Sequence, residues 1–340
     1  MSRARRGWAC AGATFLALTL AAPAMAAPGE VITIQDAELT NSSGIAADFD
    51  NGIYWLANPA DDGAGVVQGL YGDGSYAGQV PFDAELVDVQ ALAIFAGQLY
   101  IGDIGDPEEE RESIVVYRLD TLFLEQPAGY TQWTLTYPDG PHDAATMMVS
   151  PRGNIWIITR EADAGLYFLA APAGPGEYAL QRVADAPAWV TDGTFIGPTT
   201  AALRTYTGVL TYDMSSYFVS AQAQAPAQPE GESLTESLDS DGLVVGSIGD
   251  ERLLGVEVPE TMDELDPAPS VAPGRAATAT APPAPSPTPL PSPAPTTQPP
   301  RDPLGTASGF TSGKTLTAMA IALMVSVAAG ALAYRRPRRI

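Results

Sequence analysis

The protein has 340 residues, a mass of 35.4 kDa and 46% hydrophobic residues, enough to fill the core of one large domain or two small ones. Its formal net charge of −23 argues against a nucleic-acid-binding protein, because binding to phosphates needs clustered Lys and Arg. One histidine (His142) and one cysteine (Cys10) exclude metal sites built from His and Cys ligands, and they exclude Cys/His catalysis.

The first 26 residues predict a secretory signal peptide. Arg3, Arg5 and Arg6 precede an apolar stretch over residues 13–22, and residues 24–26 have the small-x-small pattern that a signal peptidase cleaves. A retained membrane anchor is the alternative, which the short apolar run disfavours. Cleavage would remove the cysteine, so the mature chain would contain no thiol and no disulfide.

Residues 27–264 have the pattern of an all-β domain built from repeats. Short apolar or alternating runs are separated by Gly, Asp, Asn and Pro, and none keeps a helical period over more than two turns. A tight-turn glycine and a tyrosine on a later strand both recur about every 45 residues. The glycines are Gly52, Gly97, Gly153, Gly197 and Gly242, and the second series is Tyr71, Tyr117, Tyr167, Tyr212 and Val256.

A repeat of about 45 residues with about four strands predicts a β-propeller blade. The predicted strands of the first blade cover residues 44–48, 53–57, 66–71 and 76–80. The fifth repeat, residues 233–258, supplies about three strands. We expect residues 31–34 to complete it and to close the ring, because open sheet ends would be exposed edges. Five blades fit best, and a six-bladed propeller and a β-sandwich are the alternatives.

Four stretches of the sequence resemble a family of secreted or surface-anchored bacterial β-propeller proteins that is frequent in actinobacteria. They are residues 41–46 (NSSGIA), 100–106 (YIGDIGD), 113–118 (SIVVYR) and 137–144 (YPDGPHDA). The resemblance covers roughly residues 40–215 and implies an extracellular propeller, loosely similar to phytase-like or esterase-like propellers. Gln90 and Ala145 stand where the family often has an acidic residue, and Pro107 stands where it usually has Asn. If the family carboxylates bind metal or substrate, these departures suggest that this chain has lost that role.

Carboxylates are the candidate functional groups. A polar residue precedes each predicted inner strand, and these residues are Ser43, Asp88, Asp143, Asp192 and Glu232. Inner strands line the channel of a propeller, so the four carboxylates are candidates for one binding site at its mouth, and oxygen ligands alone would select Ca²⁺ or Mg²⁺. The alternative is that each side chain caps its own strand by accepting backbone N–H groups, which needs no ion.

A second, weaker candidate metal site contains Asp103 and Asp106, beside the acidic run at residues 108–110. The two aspartates lie next to a predicted inserted loop, and loops on a rigid scaffold often carry binding groups. The alternative interpretation is an ordinary solvated run of charge.

The sequence of the C-terminal part predicts a stalk and a membrane anchor. Residues 265–313 are Pro-rich, with 14 prolines among the 37 residues from Pro267 to Pro303, which favours an extended polyproline II spacer. Residues 314–334 contain about 20 uncharged residues, enough to cross a ~30 Å hydrocarbon layer as a helix. The basic tail at residues 335–340 predicts a cytoplasmic C-terminus and an external N-terminus.

These features predict a single-pass protein of the cell membrane that presents an acidic propeller as a non-catalytic binding or scaffold module. Its partner would be an envelope protein or a glycan. Between residues 27 and 313 there are 9 basic and 40 acidic residues, a net charge of −31, so this region attracts cations. The alternative function is a hydrolase of the phytase-like or esterase-like kind, which would act at the channel mouth with Ca²⁺ or Mg²⁺.

Overall fold

The computed structural model describes residues 29, 31–36, 39–40, 43–57, 64–239 and 242–267. These residues form 21 β-strands in five sheets. Within this described part of the chain, no helix is long and apolar enough to cross a membrane. The predicted signal peptide, transmembrane helix and basic tail, and the Pro-rich segment from residue 268 onward, lie outside the described residues and stay predictions.

Each sheet contains at least four strands, most of them consecutive in sequence. The first strand of the described residues is β1 (Val31–Thr33), and blade 1 then contains β2 (Gly44–Asp48), β3 (Ile53–Ala57), β4 (Ala64–Tyr71) and β5 (Tyr76–Glu85). Blade 2 contains β6 (Val89–Phe95), β7 (Gln98–Asp103), β8 (Ile114–Leu119) and β9 (Tyr130–Thr136). The first two strands of blade 1 have the bounds that the sequence predicts.

The remaining blades follow the same order. Blade 3 contains β10 (Ala144–Val149), β11 (Ile155–Thr159), β12 (Gly165–Leu169) and β14 (Gln181–Asp185). Between its last two strands, β13 (Gly176–Ala179) pairs in parallel with β9 and becomes the fifth strand of blade 2. Blade 4 contains β15 (Val190–Phe195), β16 (Thr200–Thr205), β17 (Gly208–Asp213) and β18 (Phe218–Gln224), and blade 5 contains β19 (Ser233–Glu236), β20 (Leu243–Gly246) and β21 (Arg252–Val256).

The first strands of the five blades form the inner wall of the ring. β2, β6, β10, β15 and β19 each contact the inner strands of the two neighbouring blades, so the sheets surround a common axis. Small residues permit this close approach. A Cβ atom on Gly44 would lie 2.9 Å from the Cα of Ala91 in the next blade. This arrangement is a five-bladed β-propeller, which confirms the predicted fold class; the six-bladed propeller and the β-sandwich are wrong.

The N-terminal strand closes the ring, as predicted. β1 pairs antiparallel with β21 and becomes the outermost strand of blade 5, with Ile32 opposite Leu253. Ile32 is 6% exposed and packs in a core cluster with residues of blade 1 and blade 5, whereas Val31 is 50% exposed. The first and last parts of the described chain are therefore held in one sheet, which leaves no open end in the ring.

Candidate functional site

The candidate site lies at the end of the channel where the five inner strands begin, which we call the channel mouth. Asp88, Asp143 and Glu232 each directly precede an inner strand, namely β6, β10 and β19. Asp143 and Glu232 are 1% and 5% exposed. Three of the four predicted carboxylates therefore stand at equivalent positions around the mouth.

Asp192 occupies a different position from the other three. The residue that precedes β15 is Trp189, and Asp192 is the third residue of that strand, after a bulge between Val190 and Asp192. Its carboxylate accepts N–H bonds from the backbone of Gly193 at 2.8 Å and of Leu234 at 2.7 Å. Both oxygens of Asp192 are therefore used by the backbone, one within its own strand and one by β19 of blade 5.

A guanidinium group occupies the channel mouth among the carboxylates. Arg160 follows β11, and its Nε and Nη2 atoms each donate to Oδ2 of Asp143 at 3.2 Å. Its Nη1 atom donates to Oε1 of Gln90 at 3.2 Å and lies 3.6 Å from Oε1 of Glu232. Arg160 belongs to blade 3, Gln90 to blade 2 and Glu232 to blade 5, so one cation links three blades across the axis.

The network continues from Gln90 to Asp88. The Nε2 atom of Gln90 donates to Oδ1 of Asp88 at 2.6 Å, while its Oε1 atom accepts from Arg160. An acidic residue in place of Gln90 could accept from Arg160, but its carboxylate could not donate to Asp88. The glutamine therefore lets a carboxylate and a guanidinium share one hydrogen-bonded chain.

Burial and the neighbouring charges together shift the pKa values of the groups at the mouth. It raises the pKa of Asp88 and of Glu232 above their ordinary values, although Arg160 lowers both in part. Burial alone would lower the pKa of Arg160, but Asp143 and Glu232 reverse this effect and keep the guanidinium charged. Burial also raises the pKa of Tyr206 to about 12, so its phenol is neutral at pH 7.

A second buried arginine lies between blades 4 and 5. Arg204 is 1% exposed, and its Nη1 atom donates to the backbone oxygens of Ser233 and Gly246. Its Nη2 atom donates to Oε1 of Gln228 at 2.8 Å. Burial lowers the pKa of Arg204 to about 10, which still leaves it charged at pH 7. Arg204 therefore binds the backbone of the first two strands of blade 5 and lies opposite Asp192 in the pairing of β15 with β16.

Asp103 and Asp106 are buried, and their carboxylates hold the connection before β6 and the loop between β7 and β8. The carboxylate of Asp103 accepts the backbone N–H groups of Val87 and Asp88 and an N–H of Arg111 at 3.0 Å. The carboxylate of Asp106 accepts the backbone N–H groups of Glu110 and Arg111 at 3.0 and 2.8 Å. These contacts make both aspartates part of the loop framework.

The donor set at the mouth does not fit a Ca²⁺ or Mg²⁺ site. In the described ranges, no group of three or more His, Asp or Glu residues is arranged to hold a metal ion. Asp143 uses one oxygen for Arg160 and the other for the backbone N–H of Asp106 at 3.0 Å. Calcium needs six to eight oxygen ligands, whereas here both oxygens of Asp143 accept protein N–H groups and Arg160 lies 3.6 Å from Glu232. Arg160 supplies a positive charge at the place where the metal-ion hypothesis put Ca²⁺ or Mg²⁺.

Sequence reasoning missed Arg160, Gln90 and Trp189 as parts of the mouth. Arg160 was detectable in principle, because only 9 basic residues lie between residues 27 and 313 and this one directly follows a predicted second strand. A cation at that position in a ring of carboxylates is a candidate partner. The sequence prediction placed the inner strand of blade 4 after Asp192, whereas β15 begins at Val190, so Trp189 is the residue that precedes it.

Comparisons with known proteins do not identify a family for this chain. No family model matches this chain, and no curated protein matches it. Among the solved structures that match is a gluconolactonase from Xanthomonas campestris, which is 12% identical and aligns over 68% of this chain and 97% of its own, with a TM-score of 0.39. At that similarity the match carries no argument about activity, and the resemblance to the bacterial surface-propeller family stays a prediction.

Proposed function

We propose that this protein is a single-pass protein of the cell membrane that presents its acidic propeller, outside the cell, as a non-catalytic recognition module. The membrane part of the proposal rests on the sequence: a signal peptide at residues 1–26, an uncharged stretch within residues 314–334 and a basic tail. The Pro-rich segment between them would hold the propeller away from the membrane. The partner would be an envelope protein or a glycan.

The observation that carries the non-catalytic role is the pairing of Arg160 with Asp143, Gln90 and Glu232. Metal-assisted hydrolysis needs carboxylate oxygens free to bind an ion, and an open coordination position for water. At this mouth the oxygens of Asp143 are taken by protein donors, and the adjacent positive charge of Arg160 disfavours a second cation. The site is therefore built as a stable polar centre that links blades.

The experiment is a hydrolysis panel with the full-length protein. Phosphoester, ester and lactone substrates are tested with and without Ca²⁺ or Mg²⁺, and Asp143→Asn serves as the matched variant. We expect no turnover above the rate of the variant. Cation-dependent turnover that Asp143→Asn abolishes would contradict the proposal and support the hydrolase alternative. Capture of a defined envelope protein or purified glycan by the wild-type protein would then identify the partner.

A further inference from the structure

The channel has a second concave feature at the end opposite the mouth. There the inner strands end and turn into their hairpins, and an open pocket of about 340 Å³ is lined by residues of all five blades. We call it the axial pocket. Its lining includes three phenylalanines, one methionine and one carboxylate, namely Phe49, Phe95, Phe195, Met148 and Glu236. Its volume is in the range of sites that bind small molecules.

Glu236 is the unusual member of this lining. It is the last residue of β19 and is partly buried, and its carboxylate has no hydrogen-bond or ion-pair partner among the described residues. Burial raises its pKa, with no neighbouring cation to oppose the effect. A partly buried carboxylate without a partner is costly, and a bound cation would offset that cost.

The aromatic lining indicates which kind of cation fits. Phe49 is 57% exposed although it lines the pocket, so its ring is available to a ligand. Aromatic faces attract organic cations, and a single carboxylate balances a single positive charge. A divalent metal ion is a poor fit, because Glu236 is the only carboxylate in the lining and the rings supply no oxygen ligands.

We propose that the axial pocket binds a small organic ammonium ion, with the carboxylate of Glu236 facing the charge and the rings of Phe49, Phe95 and Phe195 surrounding its alkyl groups. The net charge of −31 between residues 27 and 313 would draw such cations toward the propeller. Arg152, in a hairpin at the same end, is exposed and lines a separate cleft between blades 3 and 4. This assignment goes beyond the proposed function and uses none of the residues of the channel mouth.

The test is isothermal titration of the full-length protein with choline and with its neutral carbon analogue, 3,3-dimethylbutan-1-ol. The two probes have the same shape and differ in charge. We expect choline to bind and the neutral alcohol to bind at least about tenfold more weakly, because only choline pairs with Glu236. Equal binding of the two probes, or no choline binding up to about 10 mM, would overturn the proposal.

Matched variants locate the site. Glu236→Gln keeps the size of the side chain and should weaken choline binding by about tenfold or more, whereas Glu177→Gln, at an exposed position on the edge of blade 2, should leave it unchanged. Phe49→Leu keeps an apolar side chain at an exposed position and should weaken binding about threefold. The Phe49→Leu variant still tests the location of the site if Glu236→Gln fails to fold. The assignment would be overturned if Phe49→Leu leaves choline binding unchanged and Glu236→Gln, where it folds, does so too.

Discussion

Arg160 and Asp143 are paired twice, once through their backbones and once through their side chains. The backbone N–H of Arg160 donates to the backbone oxygen of Asp143 at 2.8 Å, and the guanidinium donates from Nε and Nη2 to Oδ2 of the same residue at 3.2 Å. The pair is therefore local to the β10–β11 hairpin of blade 3. Its contacts with Gln90 and Glu232 then carry this local pair across the channel to two other blades.

Replacing Arg160 with Met should destabilise the propeller strongly. The change leaves the carboxylates of Asp143 and Glu232 buried without their cation, and breaking a buried pair in this way costs about 3–5 kcal/mol. Arg152→Met is the control, because Arg152 is exposed and has no ion pair among the described residues; its cost should be below about 0.5 kcal/mol. Urea denaturation of the two variants measures both effects, and equal costs would contradict the assigned role of Arg160.

Asp88→Asn should stabilise the protein at neutral pH. Burial raises the pKa of Asp88, so the folded state binds its proton more tightly than the unfolded state does. The charge on Asp88 therefore reduces stability as the pH rises through the interval between its ordinary and its raised pKa. The asparagine can still accept the hydrogen bond from Gln90 through its amide oxygen.

The pH dependence of unfolding tests this sign. The free energy of unfolding of Asp88→Asn should exceed that of the wild type at pH 7, and the difference should disappear when the pH falls below the ordinary aspartate pKa. Asp163→Asn, at an exposed position, is the control and should show no such difference. A variant less stable than the wild type at pH 7 would show that the charged form of Asp88 is favoured in the fold.

The sequence was sufficient to predict the ring, because a turn glycine recurs in each of the five repeats and a strand tyrosine in the first four. It could also predict the closure by residues 31–34, since the fifth repeat visibly lacked a strand. β13 was not predictable in the same way: it lies within the repeat of blade 3 but pairs with β9 of blade 2. This pairing between two blades depends on contacts that form only in the folded protein, so the sequence period does not reveal it.

The candidate site was predicted less completely than the fold. Asp88, Asp143 and Glu232 were found because they directly precede inner strands. Asp192 was assigned to the same ring because the predicted inner strand of blade 4 began after it, whereas β15 begins at Val190. Arg160 pairs locally with Asp143, but its contacts with Gln90 and Glu232 cross to other blades, which residue spacing along the chain does not reveal.

Ile32→Ala should weaken the closure of the ring. Ile32 is 6% exposed in the outermost strand of blade 5, and truncation of a buried isoleucine to alanine costs about 2–5 kcal/mol. Val31→Ala on the same strand is the control, since Val31 is 50% exposed and its truncation should cost under about 1 kcal/mol. Thermal and urea denaturation compare the two, and similar losses would contradict closure through β1.

Asp106→Ala should destabilise the loop between β7 and β8 in a way that does not depend on metal. Asp106 is 5% exposed, and its carboxylate accepts two backbone N–H groups. Its removal leaves both N–H groups without this acceptor, which should lower the free energy of unfolding by about 1–3 kcal/mol. Glu108→Ala, at an exposed position in the same loop, should cost under about 0.5 kcal/mol. The difference between the variants should be the same with Ca²⁺ and with a chelator; a loss seen only with Ca²⁺ would indicate a metal ligand.

The melting temperature of the full-length protein in Ca²⁺ and in a chelator tests the central claim most directly, which is that Arg160 supplies the positive charge at the channel mouth. Binding of an ion to the folded state alone would raise the melting temperature as the ion concentration exceeds its dissociation constant. With the mouth carboxylates already paired, the account predicts the same melting temperature under both conditions. A rise of several degrees in Ca²⁺ that Asp143→Asn removes would contradict it.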